Sequence, residues 1–340
     1  MEASPGYRYR LERVTARVHL ISQAEPFHVQ PLGNVTVVEQ VDGLVVIDAA
    51  GSAAAGTEVA RMIRTVSDKP VKTIILTHWH ADHVLGAASL LKEWPGAELL
   101  STVGTRAHLA GPEMAMYPRE PDPEREAALQ HQLARTAARF AAAAHREGSS
   151  PEERSGYTRT ANDVLAHAAA LCGVRLVLPH RTLQHGQVID DDRAPVEVRV
   201  PGPANTDGDA VVWLPNQRVL VTGDVVVAPF PFGFDVHPTR WAALLRVIAE
   251  SGFRHLIPGH GPVLKDSRYL ARIAAALDRV TDQVRAARSA GVAGGSIASG
   301  INAAAEIDAF AGSNPWLRRW VRAYWWEPVI ASAIAQERKR

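Results

Sequence analysis

An apolar run, Val71-Lys72-Thr73-Ile74-Ile75-Leu76, stops at Thr77-His78-Trp79-His80-Ala81-Asp82-His83, and this junction constrains the chain more than any other stretch. A β-branched apolar run ending in three imidazoles and a carboxylate reads as a buried strand that delivers a metal-binding loop. His78 and His80 are two apart, so an extended backbone sends both side chains to one side. Asp82 and His83 follow once the chain turns and can face a second ion. Imidazole nitrogen with carboxylate oxygen is the donor set of borderline divalent ions, zinc first among them.

Composition narrows the class. At 340 residues, 46% hydrophobic and 21% charged, the chain can bury a full core, as one large domain or two smaller ones. A net charge of +1, with basic residues bunched only at Arg338-Lys339-Arg340, gives no case for nucleic acid. Cys172 is the single cysteine, so no internal disulfide forms; its Ala-rich surroundings predict a small buried residue. The N-terminal residues lack the order of a signal peptide, and no run of apolar residues is long enough to span a bilayer. The expectation is a cytoplasmic protein acting on a small molecule, with no membrane partner.

Asn34 to Glu39 and Leu44 to Ile47 flank Asp42-Gly43, a hairpin signal. Helical spacing follows over Thr57 to Ser67 and over His83 to Glu93. Residues 112–173 read as an insertion, with one helix starting at Asp122-Pro123-Glu124 and closed by Gly148. Ser149 to Thr158 then reads as a polar linker, and a second helix runs from Thr160 to Cys172. This insertion is either a cap, with Met114, Met116 and Tyr117 as a hydrophobic lip, or a hairpin on the flank. Strands are expected at Val174 to Leu178, Val196 to Val200, Val211 to Leu214, Val219 to Val221 and His255 to Ile257, with a helix at Thr239 to Ser251. Such alternation suggests two sheets sandwiched between helices. From Asp266 a helical seam begins at Leu270, Ile273, Leu277, Val280 and Val284, and Gly291 to Gly300 reads as a break. The last helix, Pro315 to Glu337, carries Trp316, Trp320, Tyr324 and Trp325, assigned to core packing, with a homodimer contact as the alternative.

His-x-His-x-Asp-His after a strand resembles the signature of the metallo-β-lactamase superfamily. Later landmarks resemble that family in the same order: Gly202 to Asp209 before Val211-Val212-Trp213-Leu214-Pro215, then Thr222-Gly223-Asp224, then Pro258-Gly259-His260-Gly261. The resemblance implies an α/β fold, an αββα sandwich over residues 1–265, with the helical insertion at 112–173 and a helical extension at 266–340. It places a first metal on His78, His80 and residue 205, a second on Asp82, His83 and His260, and Asp224 between them. Where the family has His, this chain has Asn205, a neutral oxygen donor and a poorer zinc ligand. A weakened first site, a single-metal enzyme on the second site, or a first site for a harder ion all follow. Asp48 is either a turn residue or, as in this superfamily, a brace for the metal loop. Leu85-Gly86 stands for the family's paired glycines, which predicts an altered approach of the following helix.

The chemistry implied is hydrolysis of an ester, thioester, lactone or lactam by metal-activated water, with Asp82 also orienting that water. One or two zinc ions are expected, with iron or manganese admitted by the same donors. Val225 to Phe234 holds Phe230, Phe232 and Phe234 and no cation, which suits a hydrophobic substrate better than a β-lactam carboxylate. Met116 and Tyr117 are candidate contacts from the insertion, and core packing is the competing role for all five. Trp79 should turn away from the ions, and His237 is a solvated loop residue or a mobile acid. A β-lactamase, a mononuclear iron oxidoreductase and a non-catalytic binding relative remain as alternatives.

Overall fold

The computed structural model describes residues 8–24 and 27–338. Residues 1–7, Lys339 and Arg340 lie outside the described residues, and with them most of the N-terminal stretch and of the basic terminus read above. Strands β1 (Tyr9–Arg13), β2 (Val18–Gln23), β3 (Val35–Glu39) and β4 (Leu44–Ile47) run antiparallel to their neighbours. Helix α1 (Ala53–Val66) crosses back to β5 (Val71–Ile75), which lies parallel to β4. The metal motif then leads into α2 (Ala81–Val84), α3 (Ala87–Glu93), β6 (Glu98–Thr102) and α4 (Val103–Ala110). Helices α5 (Pro123–Ala143) and α6 (Pro151–Ala170) pack on each other, and β7 (Arg181–Leu183) completes a seven-stranded sheet in sequential order.

The second sheet is built from β8 (Gln187–Ile189), β9 (Val196–Arg199), β10 (Val211–Leu214) and β11 (Val219–Val221). Helix α7 (Pro238–Ala249) carries the chain to β12 (His255–Ile257), which lies parallel to β11 and gives the order β12-β11-β10-β9-β8. The remaining helices are α8 (Arg268–Ser289), α9 (Gly294–Gly300), α10 (Ala304–Ala311), α11 (Pro315–Trp320) and, after a π-helical turn at Val321–Trp326, α12 (Glu327–Arg338).

Strand periodicity sorts the core into layers, because successive side chains point to opposite faces. Val45, Ile47 and Ile75 face Val198, Val212 and Val221 between the sheets. Leu44, Val46 and Ile74 turn outward under α1 and α3. On the far side Val211, Leu220 and Leu256 are covered by α7, α8 and the C-terminal helices. The architecture is therefore an αββα sandwich. The α8 seam of Leu270, Ile273, Leu277, Val280 and Val284 is fully buried, with α8 packed on α7. Trp316, Trp320, Trp325 and Trp326 are buried within the chain's own core.

Several local expectations are corrected. The polar stretch from Ser149 is helix, since Ser150 accepts from the Glu153 N–H, Glu153 reaches back to the Ser150 N–H, and Pro151 occupies the first turn. Val174 to Leu178 is no strand: Val174 and Leu176 are buried, but the Leu176 N–H donates to the Pro118 carbonyl instead of a sheet. His83 to Glu93 breaks into two short helices around Leu85-Gly86. Gly291 to Gly300 holds α9, and β1, β2, β6, β7 and β8 are strands that the sequence reading does not include. Cys172 is exposed, the reverse of the expectation, and Met114 is buried, which removes it from a lip and suits packing on the flank. Gly86 alone provides the close approach assigned to paired glycines, since a Cβ there would lie 2.0 Å from the Ala49 carbonyl and 3.0 Å from Gly56 Cα. Leu85 beside it fills the core.

Candidate metal centre

The loop after β5 is held by one buried carboxylate. Asp48, at φ 64°, accepts from the Thr77 N–H at 2.8 Å and the Thr77 hydroxyl at 2.9 Å, and lies 2.9 Å from His83 Nδ1. Asp tolerates this left-handed backbone better than most residues. Asp48 is thus the brace of the metal loop as well as a turn residue. The chain stays extended through His80 and then enters α2, so His78 and His80 share a side and Asp82 and His83 follow on the turn. Thr77 Oγ1 lies 3.0 Å from His78 Nδ1, and His260 Nδ1 donates to the Leu32 carbonyl at 3.1 Å. With those nitrogens engaged, Nε2 of His78, His83 and His260 is the one left to face an ion.

Two donor groups converge on Asp224, which sits on a short turn after β11. His78, His80 and Asp224 form one, and Asp82, His83 and His260 the other. Asp224 Oδ2 lies 3.5 Å from His78 Nε2 and 3.8 Å from His80 Nδ1. Asp224 Oδ1 lies 3.2 Å from His83 Nε2 and 3.4 Å from His260 Nε2. Each carboxylate oxygen therefore faces one group. The geometry admits no side chain behind it: a Cβ on Gly259 would fall 1.9 Å from Asp224 Oδ1, and one on Gly223 would fall 2.4 Å from Thr77 Oγ1.

The electrostatics match a cation-binding pocket. Against the cost of burial, His83 and His260 hold the Asp82 carboxyl well below the carboxylate range, and Asp224 is depressed likewise by His260, His83 and His78. Burial works against His260 too, yet Asp224 and Asp82 raise it to about 9. Burial and the neighbouring His83 lower His78 to about 4, which keeps its lone pair available. Nε2 of His83 and Nε2 of His260 are 3.1 Å apart, two donor atoms aimed at one point. His78 Nε2 and Asp224 Oδ1 are buried without a hydrogen-bond partner. Buried orphans of this kind are costly unless something satisfies them, and a divalent ion does.

Asn205 is buried. Its Nδ2 donates to the Phe232 carbonyl at 2.7 Å, and its Oδ1 has no hydrogen-bond partner. The amide is thus oriented with its acceptor free, which fits a neutral oxygen donor. Asp209 fixes the backbone there, accepting from the N–H groups of Asn205 and Thr206 and from the Thr206 hydroxyl. Burial nonetheless pushes the Asp209 carboxyl up to about 6.

A model of the metallo-beta-lactamase superfamily matches residues 30–260, which span both donor groups. The chain belongs to this superfamily. It is 25% identical over 246 residues to a linear primary-alkylsulfatase from Pseudomonas sp. (strain ATCC 19151), a match covering 66% of this chain and 40% of that protein. Among solved structures, it is similar to a metallo-beta-lactamase from Pontibacter korlensis at TM-score 0.53 and 19% identity, over 80% of this chain and 99% of that one. It is also similar to a stereoselective inverting sec-alkylsulfatase from Pseudomonas sp. at TM-score 0.63 and 15% identity, over 97% of this chain and 50% of that one. The chain thus spans half or less of the length of these alkylsulfatases.

Around the centre of this metallo-beta-lactamase superfamily member, His80 and Asp82 are the partly exposed members of the two donor groups, with side chains 16% and 19% accessible. Phe232 lies near the second group, its ring 5.4 Å from His260. Phe234 is exposed next to it, and Phe230 is fully buried against Phe27, in the core. Met116 and Tyr117 are half-buried, and Tyr117 is raised to about 12 by burial and then by the Asp82 carboxylate. Trp79 packs into the outer core and stacks on His108 at 5.0 Å. His237 lies 2.6 Å from Asp207 through Nε2, with His108 Nε2 3.5 Å from the same carboxyl. The sequence gives no site role to His108, Asp207, the buried His167 or Tyr324; of these only Asp207 sits in a quoted motif, Gly202 to Asp209.

Proposed function

We propose that the chain is a metal-dependent hydrolase of esters that carry an apolar organic group, with zinc as its ion. The observation that carries this is Asp224, one of whose oxygens faces the His78 and His80 pair while the other faces His83 and His260 of the second group. His78, His80 and Asp224 would hold one ion with Asn205 as a weak neutral donor, and Asp82, His83, His260 and Asp224 the other. When bound, such ions supply a water acidic enough to act as a nucleophile near neutral pH. Asp82 keeps its carboxylate ionised and partly open to solvent, placed to accept that water's proton and orient its attack. Substrate enters on the side of His80 and Asp82, where Phe232 and Phe234 offer apolar contact and no cation.

Alkyl sulfates are the first substrates to try, because the alkylsulfatase matches agree with that apolar wall. The decisive experiment combines elemental analysis of the purified protein with turnover of an alkyl sulfate, a carboxylic ester, a lactone and a β-lactam. Hydrolysis of one of these, abolished by chelator and restored by zinc, is the expected outcome. A zinc-loaded protein that turns over none of them would sink the proposal. Asn205 favours partial loading: nearer one zinc than two per chain would place the chemistry on Asp82, His83 and His260.

A further inference from the structure

The wall beside the second donor group is completed by a segment outside the region matched to the superfamily. Pro328 has no N–H to give the carbonyl four residues back, and its ring crowds that carbonyl. The residue four back is Tyr324, and the helix loosens there into a π-helical turn over Val321–Trp326, in which the Glu327 N–H reaches back to the Arg322 carbonyl. The Tyr324 carbonyl, freed from the helix, accepts instead from the Gly233 N–H at 2.8 Å. Gly233 passes so close to the helix that a Cβ would lie 2.6 Å from Val329 Cγ2 and 2.7 Å from the Trp325 carbonyl. The loop bearing Phe232 and Phe234 is thereby pinned to the C-terminal helix at Gly233, and again where Gln336 Nε2 donates to the Val236 carbonyl at 3.3 Å.

The same turn sets the Tyr324 ring. It meets Phe232 edge-on at 5.8 Å and Phe234 at 5.3 Å, and its hydroxyl donates to the Val29 carbonyl at 3.2 Å. Phe232 in turn touches the ring of His260. Tyr324 is half-buried and Phe234 is 40% exposed, so the wall rises from the ligand His260 to the solvent. Burial, and after it the Asp82 carboxylate, raises the Tyr324 phenol to about 12, which puts the ring within electrostatic reach of the site.

We propose that Tyr324 is a specificity-determining residue, forming with Phe234 the outer wall on which the substrate's apolar chain lies and by which its length is read. This rests on the reading of the site as a hydrolase of esters with an apolar group. Hexyl, octyl, decyl and dodecyl sulfonates, which resist hydrolysis, are titrated calorimetrically into the zinc-loaded full chain. Wild-type affinity should rise with chain length, as apolar area is buried. Tyr324→Ala should cost roughly tenfold for the dodecyl compound and little for the hexyl one, at unchanged zinc content. Tyr324→Phe should keep the wild-type slope, since it keeps the ring. Phe234→Ala, at an exposed position, should flatten the slope too, and it keeps the test open if Tyr324→Ala does not fold. A wild-type affinity independent of chain length, or a slope unchanged in the alanine variants, overturns the proposal. Turnover of alkyl sulfates is measured alongside: length-dependent binding without turnover would remove the hydrolase reading and leave the wall standing.

Discussion

Asp48 carries three contacts to the loop after β5 and belongs to neither donor group, so its replacement isolates the worth of support from that of ligation. Asn at this position keeps the left-handed backbone at little cost but loses the charge that orients His83. Asp48→Asn should weaken zinc binding about 10- to 100-fold, the range seen for such supporting partners, as read by competition with a chromophoric chelator. An affinity within twofold of wild type would show that His83 needs no brace. Asn205→His tests the first group directly: zinc per chain should rise toward two, measured by elemental analysis, and an unchanged count would mean that residue 205 does not face an ion. The bracing role of Asp48 is open in the sequence beside a turn role, and the fold decides it, because Thr77 and His83 lie 29 and 35 residues further along the chain. His108, His167 and Tyr324 sit in no motif, and only the folded chain brings them near the donor groups.

At the scale of elements, α6 imposes a pH dependence. His167 is buried on this helix, and burial lowers it from 6.5 to about 4, with the Asp82 carboxylate opposing. The unfolded chain therefore binds one more proton than the folded one between those two values. Stability from keeping this ring neutral is complete above the unfolded value and is lost as pH falls through the window. Wild type should lose about 2 kcal/mol more than His167→Leu between pH 7 and pH 5, from urea unfolding at each pH. Parallel losses in the two proteins would remove His167 as the cause. The helix itself shows how legibility fails where a signal is present but outvoted. Ser150, Pro151 and Glu153 spell a helix start, yet the polarity of Ser149 to Thr158 reads as linker because this face is solvated. The opposite error arises at Val174 to Leu178, where apolar alternation is real but serves outer-core packing without a partner strand. Three-residue strands such as β7 and β8 are too short to carry a period at all.

At the scale of the molecule, the two donor groups draw on both halves of the sandwich. His78, His80, Asp82 and His83 follow β5 of the first sheet, whereas Asp224 and His260 follow β11 and β12 of the second. Ions bound there join the two sheets in the folded state only. Zinc at 100-fold above its dissociation constant should add about 2.7 kcal/mol, seen as a melting temperature raised by several degrees and reversed by chelator. Equal melting with and without zinc would mean that the ions do not bridge the sheets. The two-sheet architecture is readable from the order of motifs and apolar runs, since the motifs at His78, Asp224 and His260 each follow a largely buried strand. The packing of the C-terminal helices onto the second sheet was not, because a helical seam shows that something covers it without saying what.

Pro328 gives this arrangement a consequence for descent. The two donor groups lie within residues 78–260, whereas Tyr324, one half of the wall proposed to sense the organic chain, lies on the last helix and meets the loop through the Gly233 N–H and the Phe232 and Phe234 rings. Drift in the last helix can therefore redirect a lineage toward new molecules while every ligand stays in place. The inherited reactivity and the acquired diet are written in different parts of the chain.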